Sequence, residues 1–140
     1  MNGDAQKQAV RSFFDAIPSR DVGTMRDLLH PDATWWIPVS ASSLGVERPL
    51  VGREKIVALL GGVPLFRAET MRRRFHHLVA EGDLVACHHT LTALTAHGAP
   101  YENEYLHLFR FDRRTIAEIW EHLDTAYAFA RFAERASPNR

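Results

Sequence analysis

The chain has no excess of either charge, a single cysteine and no long apolar run, and each shortage excludes a class of protein. Its 140 residues contain 17 Lys and Arg against 17 Asp and Glu. Nucleic acids and anionic membranes usually attract a basic excess, so we expect neither as a partner. No apolar run approaches the roughly 20 residues that cross a bilayer, and the N-terminus lacks the segments of a secretory signal. We therefore expect a cytoplasmic protein.

Cysteine and ligand-binding motifs are equally scarce. Cys87 is the one cysteine, so no internal disulfide can form, and its apolar strand context is typical of a small buried hydrophobe. The sequence contains no pair of cysteines, no HExxH motif and no glycine-rich phosphate loop. We expect neither a metal nor a cofactor.

What the chain does contain is the pattern of one α+β domain, residues 1–140. In the first half, apolar residues at spacings of three and four alternate with one short strand, ATWWIPV. Asp4 and Asp21 are the expected N-caps of the first two helices. The predicted helices are about Ala5–Ile17, Val22–Leu29 and Arg53–Leu60.

From about Ala68 the period changes to that of strands, joined by turns rich in Gly, Asp and Pro. This pattern predicts an antiparallel meander with the helices packed on one face of a curved sheet. We expect the tail after it to be a short helix or an arm. The predicted strands are RRRFHHLVA, LVACHHTLTALTA, YENEYLHLFRF and IAEIWEHL.

The two central turns suggest which residues share a face of the sheet. The hairpin at Gly82 places His76 near His88, and the hairpin at Gly98 places Thr90 opposite His107. One face then resembles a ligand pocket, with aromatic walls and a few polar groups. It carries His76, His88, Thr90, Tyr101, Asn103, Tyr105, His107 and Phe109. The other face carries Cys87, His89, Leu91, Glu102, Glu104, Leu106, Leu108 and Arg110.

His107 and His122 are the candidates for proton transfer, because a histidine titrates near neutrality. Asp124 or Glu121 could orient one imidazole. The last turn leaves two registers open, and in one of them Ile119, Glu121 and Leu123 face the cavity. We favour the other, in which Trp120, His122 and Asp124 face it, because Trp120 would form a flat wall for an apolar substrate. Asp124 could instead cap the C-terminal segment.

Further residues are expected to touch the substrate. Asn103 and Tyr105 could hold a carbonyl or hydroxyl group, and His88 is predicted to share their face. Trp35 and Ile37 should lie on one side of the first strand as cavity wall, with Trp36 against a helix or another subunit.

The segments LLHPDATWWIP, GREKIVALL, EGDLVACHHT, YENEYLHLFRFD and IAEIWEHLDTAYA occur in an order that resembles the SnoaL-like branch of the NTF2-like superfamily. This branch includes ketosteroid isomerases, limonene epoxide hydrolases and polyketide cyclases. The resemblance implies a cone-shaped α+β barrel with an apolar cavity between the helices and the concave sheet. It also implies a homodimer formed through the sheet.

The resemblance does not carry one activity with it. The catalytic carboxylate of the ketosteroid isomerases falls on Ile37, their tyrosine donor on Phe13 and their second donor on His107. The last-strand Asp of the epoxide hydrolases falls near His122, and no Arg fits their middle position. Phe13 is then expected to be a cavity wall.

Two functions from different classes remain. The first is a cofactor-independent enzyme that performs acid–base chemistry on a small apolar metabolite, as an isomerase, cyclase, dehydratase or hydrolase. The second is a non-catalytic ligand-binding or dimerisation module of the same fold.

Overall fold

The computed structural model describes residues 1–62 and 64–135, in which helices pack on one face of a six-stranded sheet. The helices are α1 (Gly3–Ser19), α2 (Val22–Leu28), α3 (Arg53–Gly61) and α4 (Thr125–Ala133). The strands are β1 (Leu29–Trp36), β2 (Leu50–Val51), β3 (Arg72–Glu81), β4 (Leu84–Leu94), β5 (Pro100–Asp112) and β6 (Thr115–Leu123). The C-terminal segment is thus a helix, and the last five residues of the predicted tail lie outside the described residues.

The helix starts show one correct and one wrong prediction. Asp21 caps α2 by accepting a hydrogen bond from the amide of Thr24, as predicted. The N-cap of α1 is Asn2, not Asp4, because the helix begins two residues earlier and the Asn2 side chain accepts from the amide of Ala5. Asp4 lies in the first turn, where its charge favours the helix dipole.

The sheet is mixed, with strand order β2-β1-β6-β5-β4-β3. β3 to β6 form the predicted antiparallel meander. β1 is parallel to β6 and brings the first half of the chain to the far side of the meander. The face that packs against the helices is called the inner face here, and the opposite one the outer face.

Two apolar clusters cover the inner face. The larger lies between α1 and the sheet and includes Phe13, Phe14, Trp35 and Phe109. The smaller lies under α4 and centres on Tyr101, with which Phe132 stacks at 5.7 Å. The predicted α+β fold, with helices on one face of a mostly antiparallel sheet, is confirmed.

The predicted faces are correct for β5 and wrong for β4. Tyr101, Asn103, Tyr105, His107 and Phe109 are all buried on the inner face. However, His107 pairs with Cys87, not with Thr90, because β4 runs on to Leu94 and the loop to Pro100 is longer than a tight turn. An odd shift in register exchanges the faces. Cys87, His89 and Leu91 therefore lie inside, whereas His88 and Thr90 lie outside.

Candidate functional site

A hydrogen-bonded chain of four side chains crosses the inner face, one from each strand of the meander. The Nε–H of Arg73 on β3 donates to Nδ1 of His89 on β4 over 3.2 Å. Nε2 of His89 lies 2.9 Å from Nδ1 of His107 on β5. Nε2 of His107 lies 3.2 Å from Oε2 of Glu121 on β6. We call Arg73, His89, His107 and Glu121 the imidazole chain.

The cation at one end fixes the protons along this chain. A guanidinium can only donate, so Nδ1 of His89 must accept and its proton lies on Nε2. His89 then donates to Nδ1 of His107, which places the proton of His107 on Nε2. From there His107 donates to the Glu121 carboxylate. Both imidazoles are therefore neutral, and each hydrogen bond runs from Arg73 towards Glu121.

Burial favours the same protonation states. Desolvation, with the nearby His107 as a smaller cause, lowers the pKa of His89 to about 2. Burial also lowers the pKa of His107, although the hydrogen bond to Glu121 acts in the opposite direction. The pKa of Arg73 is lowered by burial too. Neutral imidazoles thus separate one cation from one carboxylate.

Aromatic rings pack around His107, which is 2% exposed. Phe14 meets it edge-on at 5.1 Å, Trp35 at 6.2 Å, and Phe109 stacks on it at 5.9 Å. Two surface pockets lie away from His107. One, of about 440 Å³, runs between β4, β5 and α4, and the other, of about 260 Å³, lies on the outer face beside Arg74. Neither has His107 in its wall.

Beside the imidazole chain lies a second group of buried polar side chains. The hydroxyls of Tyr101 and Tyr105 share a hydrogen bond, and Nδ2 of Asn103 donates to the Tyr101 hydroxyl at 3.0 Å. Asn103 also donates to the backbone carbonyl of Asp124, which ties β5 to the start of α4. Tyr105 stacks on His89 at 5.3 Å, so the two groups are in contact.

Among the described residues, one buried hydrogen-bond donor has no partner. The indole Nε1–H of Trp35 is enclosed and makes no hydrogen bond within the described residues. A buried unpaired N–H costs on the order of 1–3 kcal/mol. Trp35 faces His107 across the inner face, so this donor belongs to the surroundings of the imidazole chain.

Six of the predicted site residues lie in the interior. Phe13, Trp35 and Ile37 belong to the larger apolar cluster. Asn103, Tyr105 and His107 are buried on β5. They lie on the helix-covered side of the sheet, and their contacts with a substrate remain predictions.

The favoured register of β6 is wrong, and the other one holds. Glu121 pairs with His107, whereas His122 pairs with Leu106 and is exposed on the outer face. Trp120 also points outward. There its ring stacks on that of Trp36 at 4.5 Å, with the two rings parallel. Glu121, considered from the sequence as a residue that orients an imidazole, does contact His107.

Two other predicted site residues lie away from the imidazole chain. Asp124 is the N-cap of α4 and accepts from the amide of Tyr127, which was the alternative considered for it. His88 lies on the outer face, 3.6 Å from Glu104. There its ring is 4.8 Å from that of His76, so these two are neighbours as predicted, but outside the core.

Arg73 and His89 were missed as site residues. The doubled histidines HH at positions 88 and 89 contained the signal, since one of two consecutive strand residues must face inward. Arg73 has the same property within the run Arg72–Arg74, whose other two residues are exposed. Choosing the inward residue required the register, which the turns did not reveal.

Within the described residues, neither the Cys87 thiol nor the histidines outside the imidazole chain form a second candidate site. Cys87 is fully buried, and burial raises the pKa of its thiol to about 12, which keeps it protonated. Within the part of the chain that the structure describes, no three His, Cys, Asp or Glu side chains come together as a metal site requires. No helix there is long and apolar enough to cross a membrane.

The protein is thus a small α+β protein in which helices cover one face of a mixed sheet, and the imidazole chain is buried between them. The sequence profile of the SnoaL-like domain matches residues 10–122, and the chain belongs to this family. Comparison with functionally curated proteins gives no significant sequence match.

Solved structures show the same fold at low identity. An NTF2-like protein of unknown function from Burkholderia pseudomallei is 21% identical, with a TM-score of 0.79 over 96% of this chain and 100% of that one. IdmH from Streptomyces antibioticus, described as a candidate polyketide cyclase, is 22% identical, with a TM-score of 0.71 over 91% and 97%. An epoxide hydrolase of Mycobacterium tuberculosis similar to limonene epoxide hydrolase is 17% identical, with a TM-score of 0.69 over 92% and 90%.

Proposed function

We propose that the protein is a cofactor-independent enzyme that moves a proton on a small apolar metabolite, as an isomerase, cyclase, dehydratase or hydrolase does. The observation that carries this proposal is the imidazole chain, which is buried among aromatic rings and ends on a carboxylate. The solved neighbours described as a candidate polyketide cyclase and an epoxide hydrolase support this class of chemistry without identifying the reaction.

Glu121 is the proposed base. Its Oε2 accepts from His107, and its Oε1 has no partner within the described residues. The Glu121 side chain is 21% exposed, against 3% for His107, so it is the member of this pair that a ligand reaches more easily. Both ring nitrogens of His107 are occupied, so we assign His107 a positioning role and the proton transfer to Glu121.

The proposed reaction starts with Glu121 ionised. Oε1 removes a proton from an acidic C–H bond or from a water molecule, and the electron pair of the broken bond remains on the substrate or on the water oxygen. The proton rests on Glu121 until it is returned to another atom. The Nε2–H of His107 holds the carboxylate in one orientation while this happens.

Exchanging the carboxylate for an amide tests this function. A panel of cyclic enones, epoxides and polyketide-like diketones would be screened for turnover by wild-type protein. Against any substrate found, Glu121→Gln should lower kcat/KM by about 10²–10⁴-fold, since an amide cannot take the proton. His77→Gln, on the exposed outer face, is the matched control and should leave kcat/KM unchanged. Unchanged turnover in Glu121→Gln would refute the assignment.

The second candidate is a non-catalytic ligand-binding or dimerisation module. The packing of Phe14, Trp35 and Phe109 around His107 favours the dimerisation function, because filled space leaves little room for a substrate or another ligand. Ligands that bind the wild-type protein without turnover across the whole panel would support this module.

We also propose that the chain forms a homodimer through the outer face. Strand register places one apolar row across the sheet there, and it consists of Trp36, Trp120, Leu108, Ala86 and Val79. Leu108 and Val79 are 36% and 60% exposed. A continuous apolar row of this kind is suited to a second copy related by two-fold symmetry.

A further inference from the structure

Within the described residues, the guanidinium of Arg73 has no counter-ion. It lies over the Phe14 ring, with Cζ 4.4 Å from the ring centroid, and its Nε–H donates to His89. Burial lowers the pKa of this guanidinium, although nearby groups that include Glu121 and Asp15 act in the opposite direction. Neither carboxylate forms an ion pair with it within the described residues. Buried cations are normally paired, so this one is an exception that needs an explanation.

The free part of the guanidinium is its terminal edge. Nε is occupied by His89, whereas Nη1 and Nη2 have no hydrogen-bond partner within residues 1–62 and 64–135. Neither atom is among the fully enclosed unpartnered atoms, which are Oε1 of Gln6 and Nε1 of Trp35. The Nη1–Nη2 edge therefore keeps some contact with solvent, and Arg73 as a whole is half-buried.

This edge has the geometry of a carboxylate site. Two parallel N–H bonds of a guanidinium match the two oxygens of a carboxylate, and such charge-assisted pairs are the strong hydrogen bonds of proteins. The Phe14 ring and the bond to His89 hold the guanidinium in one orientation, so little side-chain freedom is lost on binding.

The positions of the charges also suit a ligand of this type. Glu121 lies at the other end of the imidazole chain from Arg73, separated by two neutral rings. A carboxylate on Arg73 is therefore well apart from the Glu121 carboxylate.

We propose that the Nη1–Nη2 edge of Arg73 binds the carboxylate of a small, otherwise apolar ligand. This carboxylate anchor does not depend on the proposed reaction at Glu121, so it can be tested by binding alone. A protein without turnover could still show the anchor, and an active one could lack it.

The test compares two probes of the same shape, 2-naphthoate and its neutral amide 2-naphthamide. Titration calorimetry at pH 7 would measure both affinities for the wild-type protein. We expect 2-naphthoate to bind at least about tenfold more tightly, the size of one charge-assisted pair in a partly enclosed site. In Arg73→Met this ratio should fall to near one, with the affinity for 2-naphthamide retained.

Two variants of similar chemistry separate anchoring from folding. Arg73→Lys keeps the charge but loses the forked edge, so it should show an intermediate ratio. Arg74→Met removes the next arginine of β3, which is exposed on the outer face, and should keep the wild-type ratio. Because a ratio of two ligands is read from the same folded fraction, partial unfolding of a variant does not imitate the expected result.

Three results would overturn the proposal. The first is a wild-type protein that binds both probes equally, and the second is one that fails to bind 2-naphthoate at millimolar concentration. The third is an Arg73→Met variant that retains the preference. Loss of turnover in Glu121→Gln with the preference intact would support both assignments independently.

Discussion

At the scale of single residues, the molecule resolves a conflict between burial and charge. Two histidines, an arginine and a glutamate lie on the inner face, yet only the ends of their chain are charged. The neutral imidazoles pass hydrogen bonds from cation to carboxylate without a desolvated charge in the middle. His107 does point inward, as predicted, but it meets packed rings and two hydrogen-bond partners, not an open hollow.

The tautomers of the two histidines can be measured. Long-range ¹H–¹⁵N correlation spectra at pH 7 should show both His89 and His107 as neutral rings with the proton on Nε2. The reason is that Arg73 forces His89 to accept at Nδ1, and the rest follows along the chain. A proton on Nδ1 of either ring, or a charged ring at pH 7, would contradict the imidazole chain.

The depressed pKa of His89 predicts a loss of stability in mild acid. Below a pH of about 6.5 the unfolded state binds a proton that the folded state excludes, so the free energy of unfolding falls as the pH falls. The folded pKa of about 2 means that this loss continues through the accessible acid range. Between pH 7 and pH 5 we expect His89 to contribute a loss of about 2 kcal/mol.

Urea unfolding at pH 7 and pH 5 measures this loss. His89→Gln can still accept from Arg73 and donate to His107 but does not titrate, so it should lose about 2 kcal/mol less than the wild-type protein between the two pH values. His97→Gln, at an exposed turn position, should behave like the wild type. Equal pH dependence in His89→Gln and wild type would mean that His89 titrates normally.

At the scale of elements, the sequence predicted the five longer strands, but neither the two-residue β2 nor the side that each residue faces. Turn residues and alternation identified β3 to β6, and the inner face of β5 was predicted correctly. The faces of β4 were exchanged because the loop before Pro100 is longer than a tight turn. His89 was therefore assigned to the outer face, and the imidazole chain could not be seen from the sequence.

Two local features add to the uncertainty of register. β3 bulges at His76, so both His76 and His77 lie outside, and β6 shifts between Arg110 and Phe111 of its partner. A bulge changes the alternation without any clear sequence signal. The outward position of Trp120 had one available clue, since a parallel neighbour at Trp36 offers it a stacking partner.

The start of α4 depends on one capping side chain. Asp124 accepts from the amide of Tyr127, so Asp124→Ala should lower the free energy of unfolding by about 1 kcal/mol. Asp124→Asn keeps a capping oxygen and should recover most of this loss. Thermal unfolding by circular dichroism compares the three proteins. Equal stability of Asp124→Ala and wild type would show that the cap is unimportant for α4.

At the scale of the whole molecule, the fold was the most predictable property. Order and spacing of the elements depend on local patterns that extend over most of the chain, and the family match over residues 10–122 agrees with them. Whether the interior is open or filled depends instead on how large side chains from α1, β1 and β5 pack together. Phe13, Phe14 and Phe109 form mutual edge-on contacts there, which no pattern along the chain specifies.

The proposed homodimer predicts that a charge placed in the apolar row of the outer face separates the two protomers. Leu108 lies in the middle of the apolar row, between Trp120 and Ala86. Leu108→Glu would bury a carboxylate against a second copy, so it should convert a dimer into a monomer of unchanged fold. Val39→Glu adds the same charge at a site that is 69% exposed and outside the row, so it should remain dimeric. Light scattering after size-exclusion chromatography reads the mass of each variant. A monomeric wild-type protein at micromolar concentration, or a dimer that persists in Leu108→Glu, would show that this face is not the interface.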